Sequence, residues 1–590
     1  MTSRPPAQPA ARRSRPARPA VLALALAASL APSAGPAQTQ AQPEATHARR
    51  PVPVEATAER FMVAAAHPLA AEAARAVLAE GGSAVDAAIA AQAMLGLVEP
   101  QSSGLGGGAF ALVWQAGEAR LTSWDGRETA PAAAGPDYWL GPDGAPRPFA
   151  QAAPGARSVG VPGVPRLLEA MHAAHGRLPM ARLLAPAIAT AREGFAVSPR
   201  MAASIASAPG LDAFPAARAY FFRPDGSPLA EGDLLRNPDY ARALETLRDA
   251  GAEAFYTGAP ARALLAALDT PGAPSPMVAQ DLADYRAVER APVCVAYRAW
   301  EICGMGPPSS GGLTVGQIMG MLAHHDLGAL GDGAQTWRLL AQASALAFAD
   351  RGLYMADADV TPMPQGLLNP DYLAGRAQAL DPAAPPAAPY PAGEPPWDHA
   401  LLRAPDTQAE RPGTTHLSVV DAQGNAVALT SSIETGFGSR LMANGYLLNN
   451  ELTDFSFAPS HQGAPVANRV EGGKRPRSSM APTIVLREGR PVLVLGSPGG
   501  ARIIGYVAQT LVRILDLGMT PAQAVAAGHV ANLNGITHLE AGTEAEALAP
   551  LLGETRAFDM NSGLHVIAIA PDGRLTGAAD PRREGVALGE

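Results

Sequence analysis

The stretch P-G-T-T-H-L-S-V-V-D-A-Q-G-N-A-V-A-L-T-S-S-I-E, residues 412–434, decides the reading of this chain. Residues 414–420 and 426–432 are rich in Val, Thr and Leu, and a Gly-Asn turn signal lies between them. That pattern predicts a β-hairpin. With the loop centred on Gln423, Thr414 falls opposite Ser432, so two hydroxyls face each other at the open end. The register matters, because a slip of one residue would bring Ile433 there instead.

Outside the hairpin, composition bounds the answer. The chain has 590 residues and a formal net charge of −9. No basic patch with interleaved aromatics occurs, which argues against nucleic acid as a partner. Arg12, Arg13, Arg15 and Arg18 precede an apolar run from Ala20 to Leu30, and Gly35-Pro36-Ala37 offers a cleavage point. Residues 1–37 therefore read as a signal peptide, with a disordered Ala/Pro/Arg leader as the alternative. The apolar run is too short for a stable membrane span, and no later window reads as one. Gln38 to Glu55 reads as a linker. A periplasmic or secreted location is expected.

Cys294 and Cys303 are the two cysteines, and they flank a hairpin pattern turning at Arg298-Ala299. They would lie opposite one another, either as a disulfide or as a pair of buried free thiols. So few candidate ligands argue against a metal site, and no cofactor is expected.

Further motifs punctuate the rest of the chain. Gly104-Leu105-Gly106-Gly107-Gly108 leads from a helix into a strand, the wrong order for a phosphate loop and the right one for close backbone packing. Arg127 stands at a strand end in W-D-G-R-E-T-A-P. Gly306-Pro307-Pro308-Ser309-Ser310-Gly311-Gly312 precedes an apolar helix and reads as a turn with an N-cap or as part of a site. Downstream come N-N-E-L-T-D-F (449–455), R-S-S-M (477–480) and G-S-P-G-G-A-R (496–502). Taken alone these are an Asx turn, a pair of strand-capping serines and a turn before a helix.

Together and in this order, G-T-T-H-L-S-V-V-D, L-L-N-N-E-L-T-D-F-S, R-P-R-S-S-M-A-P-T and G-S-P-G-G-A-R resemble the γ-glutamyltransferase (glutathione hydrolase) family of N-terminal-nucleophile hydrolases, over about residues 61–583. The resemblance implies an α+β fold, a four-layer αββα sandwich. It implies self-cleavage at Gly413–Thr414 into a large subunit (38–413) and a small catalytic subunit (414–590). A lone Thr hydroxyl is a poor nucleophile, and its own freed α-amine, with a pKa near ~8, is a base within reach. Thr414 would attack a γ-glutamyl amide, Ser432 would orient it, and Gly499 and Gly500 would form the oxyanion hole. Arg127, Ser478 and Ser479 would hold the substrate's α-carboxylate, with Glu451 and Asp454 on its α-ammonium.

Two features depart from the family. Ser432 stands where many members have Thr, and keeps the hydroxyl. Glu434 stands where well-studied members have Asn, and its carboxylate would repel an α-carboxylate unless protonated or paired with Arg440. The segment between Asp454 and Ser478 also looks short for a substrate lid. The substrate is expected to be a small γ-glutamyl compound such as glutathione, with water or an amino acid as acceptor. The alternatives are an acylase of the same fold acting on glutaryl-type amides, and an exported binding protein without activity.

Overall fold

The computed structural model describes residues 1–4, 44, 54–270, 273–387, 389–397, 402–408 and 410–590. The leader and most of the linker lie outside the described residues. The linker ends a little earlier than its composition suggests, because a strand already begins at Val54.

Two antiparallel sheets of seven strands each form the centre. One runs, edge to edge, through Val54–Ala58, Leu575–Ala579, His565–Ile569, Arg490–Gly496, Thr483–Arg487, Trp300–Gly304 and Val293–Tyr297. The other runs through Val586–Gly589, Met62–Ala65, Thr414–Val420, Ala426–Ser432, Gly108–Gln115, Arg120–Gly126 and Val288–Arg290. The hairpin register is the one its sequence predicts, with Thr414 opposite Ser432 and Val420 opposite Ala426.

The period-two alternation of these strands creates the layers. Val420, Ala426 and Ala428 face the other sheet and meet Ile484, Val494 and Ile567 there. Their neighbours Leu417, Val419, Val427 and Leu429 face outward and join the helices Pro68–Ala79 and Ala84–Val98. On the opposite outer face, Val485, Leu493, Leu495 and Val566 pack against Gly311–Leu322, Ala334–Tyr354 and Ile503–Leu515. The result is helix, sheet, sheet, helix. Truncating a fully buried residue such as Leu429 to Ala would cost about 2–5 kcal/mol.

Both hairpin strands are central, flanked by Met62–Ala65 on one side and Gly108–Gln115 on the other. They therefore read as buried on both faces, with no exposed polar row. The glycine loop before Gly108 packs backbone on backbone. A Cβ on Gly107 would lie 2.1 Å from the Ser432 carbonyl oxygen, and one on Gly106 would lie 2.1 Å from that of Leu447. At the start of the helix Ala84–Val98, Ser83 and Asp86 exchange bonds to each other's backbone N–H in a capping box.

Cys294 and Cys303 face each other across the predicted hairpin and are joined, with S–S 2.09 Å. Among the described residues no helix is long and apolar enough to cross a membrane.

Candidate active site

Even-numbered positions of the strand Thr414–Val420 point between the sheets, so Thr414 stands at the mouth of that layer, where the strand begins. Its Oγ1 donates to Ser432 Oγ at 3.3 Å. Ser432 Oγ in turn donates to the Gly413 carbonyl oxygen at 2.8 Å and accepts from the Glu434 N–H at 2.8 Å. A hydroxyl has one proton to give and two lone pairs to fill, and here all three are used. The Thr414 hydroxyl and the carbonyl of the preceding peptide are thus tied to one oxygen. Gly413 admits no other residue: an added Cβ would lie 2.1 Å from the Glu434 carbonyl oxygen.

Around this pair lies a cavity of only about 20 Å³, lined by Thr414, Ser432, Glu434, Glu451, Asp454, Ser478, Ser479 and Gly500, and by the chain's own Glu410 and Arg411. That is room for about one water molecule. In the uncut chain the segment before Thr414 fills the site. Glu410 is its anchor. Its buried carboxylate accepts from Arg351 and from the Ser479 hydroxyl, and from Arg477 Nε at 3.4 Å. Burial alone would raise its pKa, but Arg351 and Arg477, with the Ser479 hydroxyl, bring it down to about 2. Gly500, at φ +59°, touches the same segment; a Cβ there would lie 2.6 Å from the Arg411 carbonyl oxygen. Gly499, at φ +137°, sits against the Tyr506 ring, and the short turn Gly500–Arg502 then leads into the helix Ile503–Leu515.

The acidic residues gather below. Arg127 is fully buried and bonds to Glu451, to Asp454 at 2.6 Å, and to the carbonyls of Pro476 and Arg477. It does not line the cavity; its charge is taken up by the two acids that the sequence places on the opposite end of a substrate. Glu128, its neighbour, is equally buried, and Glu434, also buried, is close enough to feel the charges of Asp454 and Glu451. Burial raises the pKa of Glu128, Glu434, Glu451 and Asp454, and repulsion from neighbouring carboxylates, Glu410 among them, adds to it against the pull of Arg127. One guanidinium among four buried carboxyls leaves them under-compensated, which pushes the cluster towards its neutral forms. Of the two ways for Glu434 to avoid repelling a carboxylate, pairing with Arg440 does not form. Glu434 accepts instead from the Asn450 amide, and Arg440, half-buried on a residue with φ +67°, makes no bond to it.

Ser478 and Ser479 reach the cavity from a strand-like segment braced by the Gly306–Gly312 motif. Ser309 Oγ donates to the Met480 carbonyl at 2.6 Å, Ser310 Oγ donates to that of Ser478 at 2.7 Å, and the Ser478 N–H returns to Pro308 at 3.1 Å. Arg351 then ties Ser310 to Ser479, at 2.8 and 2.7 Å. The motif thus acts as a scaffold for the two serines. Sequence reading missed Glu410, Arg351 and Glu128 as members of this site. It also missed Arg583, whose Nη1 donates to the Thr414 carbonyl oxygen at 2.8 Å. Glu128 was adjacent to a recognised motif residue; the others carry no local signal.

The profile of the Gamma-glutamyltranspeptidase family matches residues 70–590. The glutathione hydrolase proenzyme of Bacillus subtilis (strain 168) is 36% identical over 546 residues, spanning 90% of this chain and 91% of that one. The acylase ACY 1 proenzyme of Pseudomonas sp. (strain V22) is 34% identical over 551 residues, spanning 90% and 93%. The crystal structure of cephalosporin acylase from Bacillus halodurans superposes with a TM-score of 0.79 at 26% identity, covering 92% of this chain and 97% of that one. Matches of this extent and identity show descent as well as fold: the chain belongs to the gamma-glutamyltranspeptidase family.

Proposed function

We propose that this chain is a proenzyme that severs its own Gly413–Thr414 bond and then uses Thr414 to cleave γ-glutamyl amides, passing the acyl group to water or to the amine of an amino acid. The observation that carries the reading is the Ser432 hydroxyl, bonded at once to the Thr414 hydroxyl and to the carbonyl of the bond to be cut.

In the first step Thr414 Oγ1 attacks the Gly413 carbonyl carbon. Its proton leaves through Ser432, whose own O–H donates to the oxygen as that oxygen gains charge. Collapse breaks the C–N bond, protonates the departing nitrogen and leaves an ester on Thr414. Water hydrolyses the ester, freeing Gly413 as a carboxylate and Thr414 as an amino terminus. The products are a large subunit ending at 413 and a small one of residues 414–590. For the mature site to open, the segment 410–413 must withdraw, because a cavity of about 20 Å³ admits no amino acid.

In the second phase the α-amine of Thr414 takes the proton of its own hydroxyl, and Oγ1 attacks the substrate's γ-carbonyl. The leaving amine departs with that proton. Water or an acceptor amine then attacks the acyl-enzyme. We assign the oxyanion to Gly499 and Gly500, the α-carboxylate to Ser478, Ser479 and Arg127, and the α-ammonium to Glu451 and Asp454. The crowd of acids around Arg127 supports the last assignment. A cation entering there would relieve the repulsion among them, and Arg127 would be released to a carboxylate. Glu434, which burial pushes towards its neutral form, would in that form donate to the carboxylate rather than repel it.

A second reading, an acylase of the same fold, is favoured by the likeness to an acylase proenzyme and to a cephalosporin acylase. Turnover of a γ-glutamyl anilide against a glutaryl anilide separates the two, since only the first needs an ammonium site. On the leader's pattern we place the enzyme outside the cytoplasm. Mass measurement of the purified protein tests the whole reading. It should give a small fragment beginning at Thr414, and a fragment beginning elsewhere would overturn it.

A further inference from the structure

Behind the nucleophile, away from the substrate cavity, lies a buried charge network that the mechanism above does not use. Arg583 is completely buried. Each of its nitrogens has a partner: Nη1 donates to the Thr414 carbonyl oxygen at 2.8 Å, Nε to Asn561 Oδ1 at 3.1 Å, and Nη2 to Glu44 Oε2 at 2.6 Å. The stem of the side chain lies against Gly563, where a Cβ would come within 2.5 Å of Arg583 Cδ and where φ is +74°. The other oxygen of Glu44 accepts from Arg200 Nη2 at 2.8 Å and Asn561 Nδ2 at 3.2 Å. Arg200 Nη1 donates to Glu99 at 2.8 Å, and Glu99 accepts from the Thr415 hydroxyl at 3.3 Å. The first two residues of the catalytic strand are thus both gripped from behind.

We propose that Arg583 is a positioning residue for the mature nucleophile, holding Thr414 by its carbonyl once the peptide before it is gone, and that Glu44 fixes Arg583 in place. The proposal rests on the reading that Thr414 becomes an amino terminus. Before scission Thr414 is held by covalent bonds on both sides. Afterwards it is the first residue of a chain, and chain ends fray unless something ties them. Its partner Ser432 is the last pair of the hairpin, so the strand offers no further pairing beyond it. Arg583 supplies the tie from the same subunit, and Glu44 supplies its counter-charge from the other.

The same geometry biases the base. The α-nitrogen of Thr414 is three covalent bonds from the oxygen that Arg583 holds, which sets the guanidinium roughly 5–6 Å from the amine. A cation at that range disfavours the ammonium form and keeps the amine ready to accept a proton. The other charges that face Thr414 are Glu410, Arg411, Glu434, Glu451 and Asp454 across the cavity, and Glu99, Arg200, Glu584 and Asp580 behind. Glu410 is paired with Arg351 and Arg477 and leaves with its segment, and burial pushes the acid cluster across the cavity towards its neutral forms. Arg583 is the cation bonded directly to the nucleophile's backbone.

The test compares the wild type with Arg583→Met, Arg583→Lys and Glu44→Gln, all expressed as full chains. Scission is followed by gel and mass, and kcat and KM by anilide release from pH 5 to 9. Arg583→Met should still split, because the covalent chain holds Thr414 during that step. Its kcat at pH 7 should fall about 10–100-fold with KM within about threefold, and the acid limb of kcat should move up by about one pH unit. Arg583→Lys should recover part of both. Glu44→Gln strips the counter-charge from Arg583, so its acid limb should move the opposite way, to lower pH. A merely structural role would not shift the two variants in opposite directions. If Arg583→Met fails to fold, the Lys and Gln variants carry the test alone. The inference is overturned if the wild type splits and turns over normally while the acid limb stays put in the variants or moves in the same direction in both. If instead the wild type yields no fragment beginning at Thr414, it is the proposed function that fails.

Discussion

Replacing Ser432 by alanine is the sharpest single probe of self-cleavage. The substitution removes one oxygen and three hydrogen bonds: from Thr414 Oγ1 at 3.3 Å, to the Gly413 carbonyl at 2.8 Å, and from the Glu434 N–H at 2.8 Å. The third loss leaves a buried N–H unpaired and destabilises the fold by about 1–3 kcal/mol, which a protein of this size tolerates. The second loss acts on the transition state. The Gly413 oxygen becomes an oxyanion as Thr414 attacks, and deleting one donor of that kind slows a reaction about 10²–10³-fold, or about 2.7–4 kcal/mol. The first loss leaves the nucleophile's proton without its acceptor and adds to the deficit. Purified Ser432→Ala should therefore remain largely one uncut chain over hours, while Ser432→Thr, which keeps the hydroxyl, should split at close to the wild-type rate. The assay is the uncut fraction on a denaturing gel against time. Splitting of Ser432→Ala within about threefold of wild type would show that Ser432 does not assist the scissile carbonyl.

Other expectations follow from the same geometry. Thr414→Ala should stay a single polypeptide with no amidase activity; two bands on a gel would refute that. Glu410→Gln should weaken the anchor on Arg351 and Arg477 and slow self-cleavage by about tenfold, since a charge-assisted bond contributes about 1.5–3 kcal/mol, and mass spectrometry of timed samples would show it. Glu410 has a depressed folded pKa, about 2 against 4.5. Its contribution to precursor stability is therefore complete above about pH 4.5 and is lost as pH falls towards 2, which denaturation of the uncut Thr414→Ala chain from pH 6 to pH 2.5 would register as a falling midpoint. Serine at Cys294 and Cys303 opens a loop closed over a sequence separation of 9 residues, for a loss of about 2–3 kcal/mol without loss of activity. Chemical denaturation read alongside turnover checks both.

What the sequence revealed depended on distance along the chain. The register of Thr414 and Ser432 could be read because a short turn and an alternating pattern determine it locally. The cysteine hairpin was readable for the same reason. The pairing of Glu434 could not be, since Asn450 reaches it only after the chain has folded back through a bend, whereas Arg440 looked nearer in sequence. Arg583 lies 169 residues from the carbonyl it holds, and Glu44 lies 539 residues from Arg583. No period or motif encodes such a contact. Nor does composition reveal that a glutamate four residues before Thr414 would reach two buried arginines and a serine.

The order of strands carries a consequence for the cut protein. Strands from before and after Thr414 share each sheet: Met62–Ala65 is held between Val586–Gly589 and Thr414–Val420, and Val54–Ala58 is an edge strand on Leu575–Ala579. Neither fragment owns a complete sheet, so neither has a folded form to dissociate into. The pair should stay together at any dilution, coming apart only when both unfold, and fragments made separately should not reassemble on mixing. Scission at the proposed Gly413–Thr414 bond would make a new chain end without making a new interface.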